Sequence, residues 1–525
     1  MEYLTTNLMQ YCSIFSRVHM YAQMKPAEAA IVEVSPDESE RTISWMKLEN
    51  LVNRFAHALK KDGIRIGSKV VVSLPNSIEN AVSTLAVWRL GGCAIHLPFS
   101  LVNRERISLL ELIKPDLVIA EWSGAPYKTI NVTEDYLNGL PEQMGGYLPD
   151  VLHNPCKAVA SGGSTGTPKI IVENGVMGYR SEDFKMWHVT TGQRFEQVQL
   201  VSGAMYHSLF NTSFYFGLAM GHKIILMKKF DEALLLKLVQ KYKVNSMALV
   251  PTMMSRILQC TSLAETDLSS IATIHHAGAS CPVWLKRAWT ELIGPEKIHE
   301  FYSMSEKIGM THIRGDEWLG HVGSVGKPVG CLVEILDKDG DPVPPGVVGD
   351  IYFRSPASAG AYYLGCRGFK TSKNGSTSVG DLGWLDKDGY LYIVDRRSDM
   401  IVSGGKNIYA AEVENALREY PLLRDIVVIG LSDEKWGRRV HAVVELNCPK
   451  ERFSIYDFAR FGYEKLSNYK MPKTLEIIDR MPRNDAGKLR RNDLVEERES
   501  KDSADRFTFY EMPHYSQIQR EVSCI

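Results

Sequence analysis

Apolar residues follow two alternating patterns along the first part of the chain. Short apolar runs at 70–74 and 93–98 are typical of buried strands. Over about 44–61, apolar residues recur every three or four positions, which predicts a helix with one apolar face, and a second helix is predicted over 78–90. Because strands and helices alternate, this region predicts βαβ units and a mostly parallel sheet.

The same alternation returns after residue 198, where predicted strands end in loops of small or polar residues. Three such loops are 205–208, 277–280 and 302–306, and a fourth is 161–169. Ligands of open α/β sheets bind beyond the carboxyl ends of the strands. We therefore expect these four loops to meet at one site.

The residue composition and the pattern of apolar positions change from about residue 320 onward. Glycine, proline and short strand patterns then dominate, which predicts a small β-rich subdomain. A polar cluster at 395–399 precedes the helix and strand patterns of a compact α+β unit. The last thirty residues, from Glu496, are charged and polar, and we expect a frayed helix and a loosely ordered tail there.

These patterns predict an α/β fold in two domains of unequal size. The large N-terminal domain, residues 1–395, would hold two βαβ-type sheets and the β-rich subdomain, and would begin with an irregular arm over 1–26 that includes one amphipathic stretch. A hinge at 396–399 would lead to a small α+β C-terminal domain at 400–495, followed by the tail at 496–525.

Composition and charge exclude several classes of protein. The 525 residues are 44% hydrophobic and 23% charged, which suits a globular protein with a large core. A net charge of −1 and the absence of a basic cluster argue against a nucleic-acid partner. The sequence has no run of about 18 apolar residues, so we expect no membrane span, and we also expect no signal peptide. The nine scattered cysteines form no Cys-x-x-Cys pair, so we expect reduced thiols, no zinc site and a cytoplasmic protein.

The segment from Ser161 to Lys169 has the composition of an anion-binding loop. Its glycines allow backbone N–H groups to turn toward an anion, its hydroxyl groups add short donors, and its lysine adds a positive charge. The pattern predicts a loop that binds a polyphosphate. The residues predicted to take part are Ser161, Gly162, Gly163, Ser164, Thr165, Gly166 and Lys169.

Three other interpretations of this segment were weighed. Residues 162–166 fit the Gly-x-Ser-x-Gly elbow of serine hydrolases, but that elbow needs a following helix, and the β-branched run at 170–172 predicts a strand. A Walker A loop is excluded because Pro168 separates Gly166 from Lys169. A flexible glycine–serine surface loop would account for the composition of the segment taken alone.

Five motifs, taken in order, resemble those of the adenylate-forming superfamily of acyl-CoA synthetases, firefly luciferases and peptide-synthetase adenylation domains. The resemblance covers roughly residues 25–495. The motifs are the phosphate loop, Tyr302-Ser303-Met304-Ser305-Glu306, Val379-Gly380-Asp381, Asp395-Arg396 with Ser403-Gly404-Gly405 and Glu412-Val413-Glu414, and Pro482 through Gly487-Lys488. Several details, among them Tyr-Ser-Met-Ser-Glu and the segment 313–318, are most similar to bacterial bile acid–CoA ligases.

The resemblance implies a reaction in two halves. A carboxylate attacks the α-phosphate of ATP, and the thiol of CoA then attacks the acyl-adenylate and releases AMP. In such a reaction Lys488 would bridge the carboxylate and the α-phosphate, Glu306 would bind Mg²⁺, and His207 would lie beside the acyl carboxylate. ATP, CoA, Mg²⁺ and a small-molecule carboxylic acid, by resemblance a sterol-type acid such as cholate, are therefore implied.

The remaining site residues are also carried over from the resemblance. CoA would contact Ser403, Gly404 and Gly405, and Ser398 stands at the hinge position, where the family usually has Asp or Lys. Domain rotation between the half-reactions is implied, so the C-terminal domain would be mobile. The nucleotide would contact the phosphate loop together with Gly278, Ala279, Ser280, Tyr302, Ser303, Ser305, Asp381, Ile393 and Arg396.

Several functions stay open at this point. The acid could be fatty, aromatic or carnitine-like, and the acyl acceptor could be the thiol of a carrier protein. An oxidative luciferase-like enzyme, a serine hydrolase and a non-catalytic binding protein of adenylating ancestry are further alternatives. The missing elbow helix argues against the hydrolase, and the presence of Glu306, Asp381 and Lys488 argues against the binding protein. The residues leave the oligomeric state open.

Overall fold

The structure is a computed structural model, and two large sheets with one shared core dominate it. It describes residues 12–122, 126–149, 151–161, 169–173, 175–355, 361–365, 368–484, 487, 489–500, 506–514 and 517.

The first sheet has nine strands and is parallel in its centre. In spatial order the strands are Lys327–Pro328, Met310–Arg314, Ile298–Ser303, Thr273–His276, Ser246–Leu249, Val198–Val201, Lys223–Met227, Ala29–Val34 and Glu40–Ser44. The six strands from Ile298–Ser303 to Ala29–Val34 run parallel, and antiparallel strands flank them on both sides. Because parallel strands end at the same edge, loops 205–208, 277–280 and 302–306 emerge on that edge, as predicted.

The second sheet has seven strands and includes the two strands on either side of the predicted phosphate loop. In spatial order its strands are Tyr362–Leu364, Lys169–Glu173, Lys157–Ser161, Cys93–His96, Lys69–Ser73, Leu117–Ala120 and Thr129–Ile130. Lys157–Ser161 and Lys169–Glu173 pair antiparallel, and we call these two strands the phosphate hairpin. A strand and not a helix therefore follows the loop, which confirms the prediction that excluded the hydrolase elbow.

Helices pack against both sheets, and some of them lie in the shared core. Helix Ile78–Arg89 is buried along its whole length. Its Trp88 donates from Nε1 to the Cys156 carbonyl at 2.8 Å, and its ring packs edge-on against Tyr215 at 4.6 Å. A helix buried on every side belongs between layers. The helices of this region are Ile14–Met24, Trp45–Lys61, Ile78–Arg89, Asn103–Ile113, Glu134–Asn138, Ser181–Thr191, Ser208–Ala219, Glu232–Tyr242, Pro251–Leu258, Val283–Ile293 and Gly315–Trp318.

The segment predicted to be an irregular arm is mainly a core helix. Ser13 caps helix Ile14–Met24 by accepting from the Ser16 backbone N–H, and Phe15, Val18 and Tyr21 are buried. The amphipathic stretch predicted within residues 1–26 is therefore a helix, and the irregular arm expected around it was wrong for residues 14–24. Its apolar face packs on helices distant in sequence, including Ser208–Ala219, which local patterns do not reveal.

The β-rich subdomain is a four-stranded antiparallel sheet of Leu332–Leu336, Gly349–Arg354, Thr377–Leu385 and Leu391–Arg396. Its core of Ile335, Ile351, Phe353 and Leu391 also contains Ile308, two residues after Glu306. This packing fixes the loop that carries Glu306 against the subdomain.

The C-terminal domain has its own core and its own sheet. That sheet holds Leu423–Asp433, Gly437–Leu446, Thr474–Ile478 and Tyr510–Glu511. Helices Ala410–Leu417, Ile455–Lys465 and Arg491–Glu499 complete the domain, with a separate small hairpin of Ile401–Ser403 and Lys406–Ile408. The predicted fold class is thus confirmed. None of the described helices has the length and apolar character needed to cross a membrane.

The described part of the tail differs from the prediction. Tyr510–Glu511 adds a strand beside Thr474–Ile478, and the Arg498 guanidinium is buried and donates to both carboxylate oxygens of Glu476 at 2.7 and 2.9 Å. The loosely ordered tail was therefore a wrong expectation for residues 506–514. The polar composition of the tail did not predict this strand pairing, because the edge of a sheet can form hydrogen bonds with the backbone of any sequence.

Candidate active site

Asp381 lies between a tyrosine and an arginine on strand Thr377–Leu385 of the subdomain sheet. Tyr302 donates from its hydroxyl to Asp381 Oδ2 at 2.5 Å, and Arg396 Nε lies 3.6 Å from Oδ1. Asp381 and Arg396 face each other in the register of two neighbouring strands. Two motifs that were separate in the sequence therefore meet, and the carboxylate they frame could accept hydrogen bonds from ribose hydroxyls.

The surroundings of this carboxylate shift its proton affinity. Burial raises the pKa of Asp381 above its ordinary value, although the Arg396 charge and the Tyr302 hydrogen bond act in the opposite direction. Burial, and then the charge of Asp381, raise the pKa of Tyr302 well above its ordinary value. Tyr302 therefore stays protonated and remains a donor. The charge of Glu306 adds to both shifts, which shows that the metal-ligand candidate lies near this pair.

Glu306 is tied to the phosphate hairpin by a residue that sequence analysis did not single out. The Tyr363 hydroxyl donates to Glu306 Oε1 at 2.6 Å. Tyr363 lies on a short strand that pairs with Lys169–Glu173, and Lys169 Nζ is 5.0 Å from its ring centre. No motif marks Tyr363, and its partner is 57 residues away, so only the folded chain identifies it.

The carboxylate oxygens of Glu306 are suitable ligands for Mg²⁺. Within the described part of the chain, no hydrogen-bond donor contacts the second carboxylate oxygen of Glu306. A single oriented carboxylate beside a phosphate loop is a common arrangement for Mg²⁺, which takes one or two carboxylates together with substrate phosphates. Glu306 would therefore hold the ion by that oxygen.

His207 stands at the N-cap of helix Ser208–Ala219, at the carboxyl edge of the nine-stranded sheet. Asn76 fixes the preceding loop by donating to the carbonyls of Gly203 and Met227 and accepting from the Met205 N–H, at 2.8–2.9 Å. Asn76 is buried and links the two large sheets. Sequence analysis missed it, and the only signal was a polar residue just after a buried strand.

The loop 277–280, which was predicted to contact the nucleotide, follows strand Thr273–His276 directly. Gly278 has a φ of +87°, a conformation that favours glycine, so the turn into Ala279 and Ser280 needs this residue. Ile393 and Tyr302 pack against the same subdomain core, which brings both to one side of the loop cluster. Ser303 donates to the Gly309 carbonyl at 3.0 Å, so its hydroxyl stabilises its own loop.

The predicted CoA residues form a tight turn in the C-terminal domain. Gly404 and Gly405 have φ values of +55° and +75° and join Ile401–Ser403 to Lys406–Ile408. A two-residue hairpin turn of this type requires positive φ at both positions. A Cβ at Gly404 would also lie 2.9 Å from the ring of Trp436, whose carbonyl accepts from the Gly404 N–H at 2.9 Å. Ser403 is buried at the start of the turn.

At the predicted hinge, Ser398 donates to the neighbouring Asp399 at 2.9 Å. Asp399 and Glu414 both accept from the guanidinium of Arg491 at 2.6 Å. The hinge is therefore bound to the residues that follow Lys488. Whether Ser398 changes domain rotation stays a prediction.

The loop that carries Lys488 approaches the large domain at Gly487. A Cβ at Gly487 would lie 2.2 Å from Thr252 Oγ1, and the φ of Gly487 is +70°, so both the contact and the backbone require glycine. Thr252 lies just beyond strand Ser246–Leu249, on the edge that carries the other loops. Arg483 holds the loop by donating to the Gly487 carbonyl at 3.0 Å. Lys488 itself, with Gly162, Gly163, Ser164, Thr165 and Gly166, lies outside the described residues.

Comparison with known families decides the class of this site. Residues 18–363 match the AMP-binding enzyme family, and residues 412–488 match the C-terminal domain of AMP-binding enzymes. The chain belongs to the AMP-binding enzyme family. The superfamily prediction is thereby confirmed.

Curated relatives of this AMP-binding enzyme include two 2-succinylbenzoate–CoA ligases. The enzyme from Bacillus cereus is 29% identical over 463 residues, which are 87% of this chain and 93% of the relative. The enzyme from Bacillus subtilis is 28% identical over 487 residues, which are 91% of this chain and 96% of the relative.

Solved structures agree with this assignment. The o-succinylbenzoate CoA synthetase of Bacillus subtilis in complex with its acyl-adenylate intermediate is 25% identical, with a TM-score of 0.77 over 93% of this chain and 98% of that chain. The same enzyme was solved with ATP and a magnesium ion, at 25% identity, with a TM-score of 0.75 over 92% and 99%. An anthranilate CoA ligase, 22% identical with a TM-score of 0.79 over 93% and 98%, has the same fold.

These relatives confirm part of what the sequence predicted. The enzyme class, an AMP-forming acid–thiol ligase, agrees with their names, and ATP, CoA and Mg²⁺ agree with their complexes. The bile acid substrate receives no support from the relatives described here.

Proposed function

We propose that this AMP-binding enzyme is an ATP-dependent carboxylic acid–CoA ligase. It forms an acyl-adenylate with release of pyrophosphate and then an acyl-CoA thioester with release of AMP. The observation that carries the proposal is that Asp381, Tyr302 and Arg396 lie together and that Glu306, close to them, is bound by Tyr363 beside the phosphate hairpin.

In the adenylation step the chain would neutralise and position anions. Asp381 would hold the ribose, and Lys169 with the loop before it would hold the β- and γ-phosphates. Mg²⁺ bound to Glu306 would supply further positive charge on the phosphates. Lys488 would bridge the substrate carboxylate and the α-phosphate. The contact between Gly487 and Thr252 supports this role, because it brings the loop of Lys488 to the edge of the nine-stranded sheet that carries the other loops.

In the second step the C-terminal domain would guide the thiol. The backbone of Gly404 and Gly405 offers a surface without side chains, and the exposed face of Trp436 borders it. A pantetheine arm is narrow and flexible, so a surface without side chains suits it. The same surface would accept the arm of a carrier protein.

For the acyl group we propose an aromatic acid, because the relatives above act by name on 2-succinylbenzoate. The sterol-type acid remains a second candidate on the strength of the Tyr302–Glu306 and 313–318 motif details. Helix Ser208–Ala219 offers little support for a large sterol pocket. Its Phe210, Phe214 and Tyr215 are buried in the shared core and serve packing.

A substrate panel tests the proposal. AMP release and acyl-CoA formation would be measured with ATP, CoA and, in separate reactions, 2-succinylbenzoate, benzoate, cholate, a fatty acid and carnitine. We expect thioester formation with an aromatic acid. Turnover of cholate alone would favour the sterol acid, and AMP release without any acyl-CoA would favour a carrier-protein acceptor. Absence of AMP release with every acid would contradict the ligase proposal. The cytoplasmic location stays a prediction.

A further inference from the structure

A buried ion pair joins the two strands of the phosphate hairpin at its base. Lys157 begins the first strand and Glu173 ends the second, and the two residues face each other in register. Lys157 Nζ lies 2.9 Å from Glu173 Oε1, and both side chains are 4% exposed. Charges this deep in a core persist only when they are paired, so the pair makes the hairpin base rigid.

Lys307 brings a second cation to the same carboxylate from outside the sheet. Its Nζ lies 2.5 Å from Glu173 Oε2, while its side chain is 54% exposed. Burial alone would raise the pKa of Glu173, but the charges of Lys157 and Lys307 outweigh it and hold the pKa below its ordinary value. Glu173 is therefore ionised at neutral pH, with one lysine at each oxygen.

Lys307 also has an unusual backbone. Its φ is +50°, in the left-handed region that residues other than glycine rarely adopt, and its N–H donates to the Met304 carbonyl at 2.9 Å. Such conformations persist where surrounding contacts hold them, and they cluster at functional sites. The ion pair with Glu173 is a contact of this kind, and Lys307 directly follows Glu306.

Glu306 and Lys307 thus contact two neighbouring strands of the seven-stranded sheet. Tyr363, on Tyr362–Leu364, binds Glu306 and lies opposite Ile171, while Glu173, at the end of Lys169–Glu173, binds Lys307. We propose that the Glu173–Lys307 ion pair is a positioning contact that keeps the carboxylate of Glu306 at a fixed place beside the phosphate hairpin. The proposal rests on the proposed function, in which Glu306 holds Mg²⁺ with ATP.

The test is the metal dependence of ATP binding in Lys307→Gln, which leaves the buried pair intact. Titration calorimetry would give the Mg²⁺ concentration at which ATP binding is half-saturated, and electron paramagnetic resonance with Mn²⁺ would check metal binding directly. We expect the half-saturating Mg²⁺ concentration to rise about fivefold, the effect of losing one partly exposed ion pair. The thermal midpoint should change little, because Lys307 is largely exposed.

Two further variants separate charge from backbone geometry. Lys307→Asn accepts a left-handed backbone but has no charge, and it should show the same shift as Lys307→Gln. Lys307→Arg keeps the charge and should remain close to the wild-type value. Lys243→Gln is the matched control, since Lys243 also has a φ of +50° and pairs with Asp267 at 3.0 Å on a distant helix end.

A double-mutant cycle adds the partner residue. Glu173→Gln should lower stability, because it leaves Lys157 buried without its counter-charge, and combining it with Lys307→Gln should add no further shift in Mg²⁺ dependence. Wild-type metal dependence in Lys307→Gln or in Lys307→Asn would overturn the positioning role and leave the ligase proposal standing. A wild-type protein whose ATP binding ignores Mg²⁺ would overturn both.

Discussion

Two hairpins were predicted to contact phosphate-bearing substrates through glycines, and the structure stabilises them in different ways. The phosphate hairpin lies inside a seven-stranded sheet and is tied to Glu306 and Lys307 from other parts of the chain. The hairpin of Ile401–Ser403 and Lys406–Ile408 forms a two-stranded sheet of its own. Its turn is defined locally by Gly404 and Gly405.

This difference fits the two half-reactions of the proposed ligase. Adenylation needs several charged groups at fixed positions around a triphosphate, and long-range contacts provide that rigidity. Thioester formation needs a surface that guides the thiol and reaches the site after adenylation. A turn whose conformation depends on its own residues can move with its domain and keep that conformation. Variants should therefore separate the two halves.

The largest separation is expected from Lys488→Ala. Loss of the bridging charge should slow acyl-adenylate formation by about 10³-fold, measured as ATP–pyrophosphate exchange. Thioester formation from supplied acyl-adenylate should be spared. Lys450→Ala, an exposed lysine of the same domain, is the control. Normal exchange in Lys488→Ala would remove this residue from the adenylation step.

Asp381→Asn should give the next largest effect, on the adenylation side. Replacing the charged acceptor should weaken AMP binding by about 10- to 100-fold, since hydrogen bonds to charged groups contribute about 1.5–3 kcal/mol. Titration calorimetry with AMP measures this change, and Asp388→Asn, an exposed acid of the same subdomain, is the control. Unchanged AMP affinity would place the ribose elsewhere.

Gly404→Ala should affect the other half-reaction. The new Cβ meets Trp436 at 2.9 Å and the backbone has a φ of +55°, so the turn must shift. We expect thioester formation from supplied acyl-adenylate to slow about tenfold, in line with about 1–3 kcal/mol of local strain, with pyrophosphate exchange preserved. Gly375→Ala has similar backbone strain with nothing within 4 Å, and it controls for strain alone. Equal loss in both half-reactions would contradict the separation.

The smallest expected effect is on the pH dependence of AMP binding. Burial raises the pKa of Asp381, so its carboxylate protonates at a higher pH than an ordinary aspartate as the solution is acidified. AMP affinity should therefore fall with decreasing pH, and Tyr302→Phe should move this fall to higher pH because it removes a hydrogen bond that lowers the pKa. In Asp381→Asn, AMP affinity should not fall with decreasing pH. If AMP affinity still falls in that variant, another group causes the pH dependence.

Local patterns were sufficient for several parts of the fold and the site. The apolar period over 44–61 predicted a helix, and helix Trp45–Lys61 follows Ser44, which caps it by accepting from the Lys47 N–H. The β-branched run at 170–172 predicted a strand and lies in strand Lys169–Glu173. In each case neighbouring residues carry the physical cause.

Contacts between distant segments could not be predicted from the sequence. Tyr363 reaches Glu306, Asn76 links two sheets, and Glu173 binds Lys307, yet only Glu306 among these residues belongs to a motif. The burial of Phe210 and Phe214 is a similar case, because an aromatic run predicts both a pocket wall and a core.

By itself, the sequence determined the alternation of strands and helices, the order of the motifs and the chemistry of the phosphate loop, because hydrophobic period, turn residues and charge are local properties. The tertiary structure decided which charges meet. Asp381 faces Arg396 through strand register, Tyr363 binds Glu306 beside the phosphate hairpin, and Glu173 binds the neighbouring Lys307. Such pairings depend on how sheets pack, and packing depends on the whole chain.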